Sequence, residues 1–352
     1  MRKQTKLVAV LSTAALLAIG ASMTSFAATG WAEEDGTWVY YNRDGERATD
    51  QWKKSGNNWY WLDSNGEMAI DQLIEDGDNY YYVDINGVMA ANQWVAIDNE
   101  DAGEDDEPDH YWYYFQANGK ALTNGDNDKV SLKTINGKKY AFDDEGKMLF
   151  GWVDEDSAER VDDTDGDGFK EGTYYFGGED DGAMTVGWLQ LDITYDEATN
   201  DDYKYTAAAF NDDEDQTRWF YFKSNGKKIY SESADETKDK TINGKKYAFD
   251  QYGAMVAEWS VDADKKPSTS STASISTAEE QAKYSQAWRY YNSVEDGARV
   301  SKGWFKVVSA ELLNEEKYND DEDAWYYADG SGHLYAGEFK TIKGKKYAFR
   351  ND

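Results

Sequence analysis

The sequence predicts an all-β fold: an elongated solenoid of stacked β-hairpin repeats with long acidic loop insertions. Three observations carry that prediction. Trp31, Trp52, Leu73 and Trp94 are separated by steps of 21 residues, as are Trp38, Trp59 and Tyr80, and Gly45, Gly66 and Gly87. The runs WVYYN, WYWLD and YYYVD between those markers are short, β-favouring and bounded by Asn/Asp/Gly turns. A second pattern begins as KTINGKKYAF at Lys133, recurs after Lys240, and returns as KTIKGKKYAF at Lys340, at intervals of 107 and 100 residues. A lone hairpin cannot bury an aromatic face, whereas stacked copies can.

Residues 1–27 read as a secretory signal peptide. Arg2, Lys3 and Lys6 precede the apolar run LVAVLSTAALLAIG, and Ser25-Phe26-Ala27 offers small residues at a cleavage site. The apolar run is too short for a comfortable membrane span. Processing would take the net charge from −32 to about −35. The expected location is outside the cell, held non-covalently at the wall or surface, with no membrane span in the mature chain.

Residues 28–123 hold the regular repeats. One unit is an opening Gly/Gln-Trp, a polar turn, an aromatic run, a Gly-containing turn and a small apolar tail. Asn65-Gly66 and Asn86-Gly87 tolerate the positive φ of tight turns. Residues 124–257 carry hairpins with acidic insertions and the first two KKYAF modules. Residues 258–352 carry a Ser/Thr-rich insertion and the terminal KKYAF module. The aromatic run recurs at Trp112, Trp219, Trp288 and Trp325, and the opening Trp at Trp152, Trp188, Trp259 and Trp304. The separation of the two markers grows from 7 positions, Trp31 to Trp38, to 31, Trp188 to Trp219. Insertions such as EDAGEDDEPD, DSAERVDDTDGDGFKEG and PSTSSTASIST are expected to enlarge a turn while leaving the strand ladder undisturbed. Thr277 with Glu280 makes a capping box and predicts a short helix over EEQAKYSQA.

Composition narrows the chemistry. There is no cysteine, so disulfides, thiolate zinc sites and thiol catalysis are excluded. The two histidines, His110 and His333, leave little for a triad or a poly-His metal site. The large negative charge repels nucleic acid and anionic lipid. An aromatic content of 15% contradicts disorder despite the acidity. Every stretch long enough for a catalytic core is consumed by repeats, so no enzyme is expected.

The GW start followed by WVYYNRDG or WYWLDSNGEM resembles the cell-wall-binding repeat of choline-binding proteins, and is similar to the repeats of glucan-binding tails. The resemblance spans residues 29–352 and is strongest over 29–91. It implies ligand sites between successive hairpins, lined by aromatic rings. By position these are Trp31 and Trp38 with Trp61, then Trp52 and Trp59 with Tyr82; in later copies Trp94, Trp112 and Tyr114, then Trp188, Trp219 and Tyr221, then Trp304, Trp325 and Tyr327. Strand alternation does place Trp38 with Tyr40, and Trp59 with Trp61, on one face. A quaternary ammonium donates no hydrogen bond, so aromatic faces are its natural receptor, at about 0.5–2 kcal/mol per contact. Single sites would be millimolar, and many sites on one chain would hold a polymer by effective concentration. Sugar rings stack on the same surfaces, so polysaccharide is the alternative to choline on teichoic acid. A host or partner protein is a further candidate for the acidic insertions.

Some copies lack walls. Leu73 replaces an opening Trp. In the KKYAF copies Lys139, Lys246 and Lys346 take the first aromatic position and Ala141, Ala248 and Ala348 the third, which reads as a spacer hairpin. A lysine there could also fill a neighbouring cage with its own ammonium. No cofactor is required, but Asp163, Asp165 and Asp167 open a calcium-loop pattern with Glu171 at the ninth place; Tyr174 stands where the bidentate Glu belongs. The pattern makes calcium the one candidate metal, against the competing reading of an acidic, solvated turn.

Overall fold

A computed structural model describes residues 29–104, 107–164, 166–193, 216–233, 236–261 and 275–352. The expected signal peptide, the acidic stretch DEATNDD (196–202) within the long Trp188–Trp219 insertion, and most of the Ser/Thr-rich insertion lie outside these residues. The chain forms two compact units. Among the described residues, the first takes those of 29–97 with 112–123 and 145–147, and the second takes those of 98–111, 124–144 and 148–352.

The first unit is the regular part. β1 (Gly30–Glu34) pairs with β2 (Thr37–Tyr41), β3 (Gln51–Ser55) with β4 (Asn58–Leu62), and β5 (Gln72–Asp76) with β6 (Asn79–Val83), each an antiparallel two-stranded sheet. β7 (Gln93–Asp98) and β8 (His110–Phe115) pair likewise. The turns after the second and third aromatic runs are each fixed by an Asp carboxylate. Asp63 accepts from the backbone N–H of Asn65 and of Glu67, both at 2.8 Å, and Asp84 repeats this with Asn86 and Val88.

One backbone hydrogen bond per repeat joins a hairpin to its predecessor. Met68 N–H donates to the Trp38 carbonyl at 2.8 Å, Met89 to Trp59 at 2.9 Å, and Ala121 to Tyr80 at 2.8 Å. The glycine two residues earlier is needed twice over. Gly87 has φ of +74°, and a Cβ there would stand 2.9 Å from Met68 Cε. The stacked copies bury Val39, Leu62, Ile74 and Val83, residues that alternate with the cage-facing rings.

The second unit follows the same rule with interruptions. Its hairpins are β9 (Lys133–Ile135) with β10 (Lys138–Tyr140), β11 (Trp152–Val153) with β12 (Tyr174–Tyr175), β13 (Gly187–Ile193) with β14 (Gln216–Phe222), and β15 (Lys238–Ile242) with β16 (Lys245–Phe249). β17 (Trp259–Ser260) with β18 (Arg289–Tyr290), β19 (Gly303–Val308) with β20 (Asp323–Ala328), and β21 (Phe339–Ile342) with β22 (Lys345–Ala348) complete it. The stacking bond recurs from Met184 to Lys139, Lys228 to Thr173, Met255 to Trp219 and Arg299 to Lys246.

The expectation that insertions leave the ladder undisturbed is corrected at two hairpins. β11–β12 keeps only Trp152↔Tyr175 and Val153↔Tyr174, and β17–β18 only Trp259↔Tyr290 and Ser260↔Arg289. In both, the insertion carries apolar residues that gain more by folding back than by extending the strands. α1 (Gly168–Glu171) buries Phe169, and α2 (Ala278–Ala287) buries Tyr284 beside Trp288. The predicted capping box is present, with Thr277 accepting from Glu280 N–H at 3.2 Å. β13–β14, with the widest gap, still keeps its ladder from Gly187↔Phe222 to Ile193↔Gln216. α3 (Glu315–Asn319) follows β19 and is capped by Asn314. No helix among the described residues is long and apolar enough to cross a membrane.

Candidate functional site

Antiparallel register builds the first half of each cage. Trp31 lies opposite Tyr40 and Glu33 opposite Trp38, so Trp31 and Trp38 share one face as diagonal neighbours. Trp52 and Trp59 repeat this in the second hairpin. In the copies built on β13–β14 and β19–β20 the diagonal pair meets edge to face, Trp188 with Trp219 at 6.2 Å and Trp304 with Trp325 at 6.3 Å.

The following hairpin supplies the third wall, and here the structure corrects the sequence-based grouping by one residue. Trp31 meets Tyr60 at 5.3 Å, not Trp61, and Trp52 meets Tyr81 at 5.0 Å, not Tyr82. Trp61 closes instead on Trp52 of its own hairpin at 5.2 Å. Tyr82 stacks on Phe115 at 6.1 Å and hydrogen-bonds to Asp71. The reason is the two-residue period of a strand. Trp59 and Trp61 point with Trp52, so the ring between them is the one that faces back.

The same parity changes the role of the KKYAF hairpins. Tyr247 meets Trp188 at 4.8 Å and Tyr347 meets Trp304 at 4.9 Å. These hairpins lack a cage of their own but close the one before. In β15–β16 Asp239 stands opposite Ala248, where a Trp would open a cage, and holds Arg299 at 2.6 Å and Arg289 at 3.6 Å. Lys139, Lys246 and Lys346 are exposed, so none of them fills a neighbouring cage.

Exposure divides the opening tryptophans. Trp31, Trp52 and Trp188 are half-buried, and Trp304 is 38% exposed, beside Trp325 at 63%. Trp152 and Trp259 are each only 3% exposed. Trp94 meets Tyr114 at 5.1 Å, and Trp112 is half-buried on the same strand as Tyr114. Tyr221 and Tyr327 back their own tryptophans at 5.0 and 5.2 Å.

Acidic groups border the second cage. Trp52 donates its indole N–H to Asp76 at 3.2 Å, and burial, with the nearby Asp76 carboxylate, holds the Tyr81 phenol above its ordinary pKa. An aromatic corner with a carboxylate at its rim attracts a diffuse cation. The residues that sequence reasoning missed are Tyr60, Tyr81, Tyr247 and Tyr347. Met255, packed with Trp188 and Trp219, was also missed. A methionine recurring two places after the turn glycine, at 68, 89, 148, 184 and 255, was its visible signal.

Of the expected calcium ligands, Asp167 and Glu171 line one cleft, and Asp163 and Asp167 each hold a partner of their own. Asp163 accepts from Gly168 N–H at 2.7 Å and Asp167 faces Lys170 at 3.5 Å, while Asp165 lies outside the described residues. Among the described residues, no group of three or more His, Asp or Glu side chains is arranged to hold a metal.

The choline-binding repeat family matches residues 28–72 and 51–94. Among solved structures, the choline-binding domain of Spr1274 from Streptococcus pneumoniae is 33% identical, over 27% of this chain and 95% of that one, at a TM-score of 0.21. The modular autolysin LytC of Streptococcus pneumoniae, solved with a synthetic peptidoglycan ligand, is 18% identical over 91% of this chain, at a TM-score of 0.44. This chain spans about half, 51%, of that autolysin. Choline binding protein F of the same organism is 17% identical over 91% and 96% of the two chains, at a TM-score of 0.39. Among curated proteins none matches.

Proposed function

We propose that this chain, a carrier of choline-binding repeats, is a secreted, non-catalytic protein that attaches to cell-wall polymer by caging choline on teichoic acid. The cages are Trp31, Trp38 and Tyr60; Trp52, Trp59 and Tyr81; Trp188, Trp219 and Tyr247; and Trp304, Trp325 and Tyr347. The observation that carries the reading is that each opening Trp meets a ring from the next hairpin while keeping part of its surface in solvent. Two or three ring faces supply about 1–6 kcal/mol before the cost of association, so each site is weak and the array is what holds. The strong negative charge favours a cationic ligand at every cage.

Titration of the mature chain with choline, followed by Trp fluorescence, tests the reading. A saturable change in the millimolar range, absent with the uncharged isostere 3,3-dimethylbutanol, is expected. Equal responses to both compounds, or none, would refute it. A response to a soluble glucan in place of choline would assign the same rings to sugar stacking.

A further inference from the structure

Two residues beyond the turn glycine, where five hairpins carry methionine, the hairpin β13–β14 carries Lys228. Its backbone N–H bonds to the Thr173 carbonyl at 2.8 Å, the stacking bond that places this side chain at the cage of the preceding hairpin. That cage is the one opened by Trp152, which meets Tyr175 at 5.1 Å and Phe220, from the following hairpin, at 5.3 Å. The Lys228 side chain runs under Gly253, where a Cβ would stand 2.7 Å from its Cδ, and the residue is 2% exposed. Its amino group lies 4.8 Å from the Trp152 ring centroid and 6.0 Å from that of Phe220. It also donates to the Phe169 carbonyl in α1. Phe169 packs on Phe220 at 6.2 Å and is 1% exposed. Thr173 takes the register position that is Trp219 in the next open cage.

We propose that Lys228 is a built-in ligand: its ammonium fills the Trp152 cage, ties the α1 insertion over it through the Phe169 carbonyl, and closes this cage to ligand from solution. A primary ammonium is a compact cation and an aromatic corner is its receptor, as for a quaternary one. The hydrogen bond to Phe169 supplies what the rings cannot, a partner for one N–H. Burial pushes the Lys228 amine down to about 7, opposed by the Asp250 carboxylate, which burial itself holds up to about 6. Below pH 7 the group in the cage is therefore the cation. The inference shares with the preceding section the reading of these corners as ammonium receptors, and the experiment separates the two.

Lysine-selective 13C NMR of the intact chain at pH 6 should show one ε-methylene displaced upfield by aromatic ring currents and titrating near pH 7. All lysine ε-methylenes at exposed-lysine positions would overturn the proposal. Lys228→Ala should lower the thermal midpoint of the second unit by about 5 °C. Methylammonium at about 10 mM should restore at least half of that loss, as a free cation refills the vacated corner, while methanol should not. The wild-type midpoint should move by less than the variant's. Equal shifts in the two proteins would overturn the proposal, and should the variant fail to fold, the wild-type spectrum decides alone. Rescue of Lys228→Ala by methylammonium without choline binding at the open cages would sink only the function proposed above. Choline binding without rescue would sink only the built-in ligand.

Discussion

Trp52 and Trp152 hold equivalent register positions, opposite Trp61 and Tyr175, and each meets a ring from the following hairpin. Around Trp52 the connection between strands is a two-residue turn, the diagonal neighbour is Trp59 at 40% exposure, and the cage stays half-open. Around Trp152 the connection is an insertion that carries Phe169 back over the ring, the diagonal neighbour is Thr173, and nothing of the indole is left for solvent beyond 3%. Trp259 is closed in the same manner by Tyr284, Leu312, Leu313 and Leu334, and its indole N–H donates to the Val308 carbonyl at 2.8 Å. A repeat scaffold thus yields two products from one residue. A short turn leaves an open aromatic corner, whereas a long insertion with an apolar anchor converts the same corner into core. Once buried, the corner contributes folding energy in proportion to the area it hides.

The largest expected effect that would break this comparison is on stability. Trp152→Ala should destabilise the second unit by about 3–5 kcal/mol, because a fully buried indole leaves a cavity its neighbours cannot fill. Choline binding at the Trp52 cage should be unchanged, and urea unfolding together with choline titration would measure both. A loss of ligand sites with little loss of stability would show that the closed cage is a receptor after all.

The next effect is a pH dependence confined to the closed cage. The folded Lys228 amine sheds its proton near 7, while the unfolded amine keeps it to about 10.5. Between those values the unfolded state binds more protons, so stability gains from this group as pH rises above 7. Lys228→Met should remove that gain, so the stability of the variant minus that of wild type should be most positive below pH 7 and fall above it. Thermal melts of the two proteins at pH 6 and pH 9 would show it, and a constant difference would contradict it.

A smaller effect sharpens the open side. Tyr81→Ala should weaken choline at the Trp52 cage by up to about tenfold, the loss of one cation–ring contact, whereas Tyr82→Phe should leave it unchanged. Fluorescence titration distinguishes the two, and the reverse result would restore Tyr82 as the wall. The smallest effect concerns the α2 insertion that closes Trp259. Thr277→Ala removes the acceptor for Glu280 N–H and should cost about 1 kcal/mol. Hydrogen exchange over 278–287 should rise locally, and an unchanged rate would mean that packing of Tyr284 and Trp288 alone holds the helix.

Much of the fold is legible in the residues. The 21-residue steps place every hairpin of the first unit, and Asn/Asp-Gly pairs mark its turns, because tight turns restrict composition within a few residues. The capping box at Thr277 is equally local. The candidate site was legible in kind but not in grouping. Opening and diagonal tryptophans such as Trp31 and Trp38 follow from alternation within one hairpin. The third wall does not, because Tyr60 and Trp61 are equally aromatic neighbours and only the facing of one hairpin toward the last selects between them. Nor could Lys228 be told from a solvated lysine, since its neighbours Lys227 and Lys223 are charged and its burial comes from Trp152, Phe169 and Gly253, all distant in sequence.

The sequence by itself determined the repeat, the turns, the strand pairs of the first unit and the supply of aromatic rings, because each rests on contacts within about twenty residues. The tertiary structure alone decided which ring closes which cage, and which cages stay open and which are filled from within. Those outcomes depend on how stacked hairpins face one another and on where insertions fold back, and both are set by contacts between residues that the chain order keeps apart.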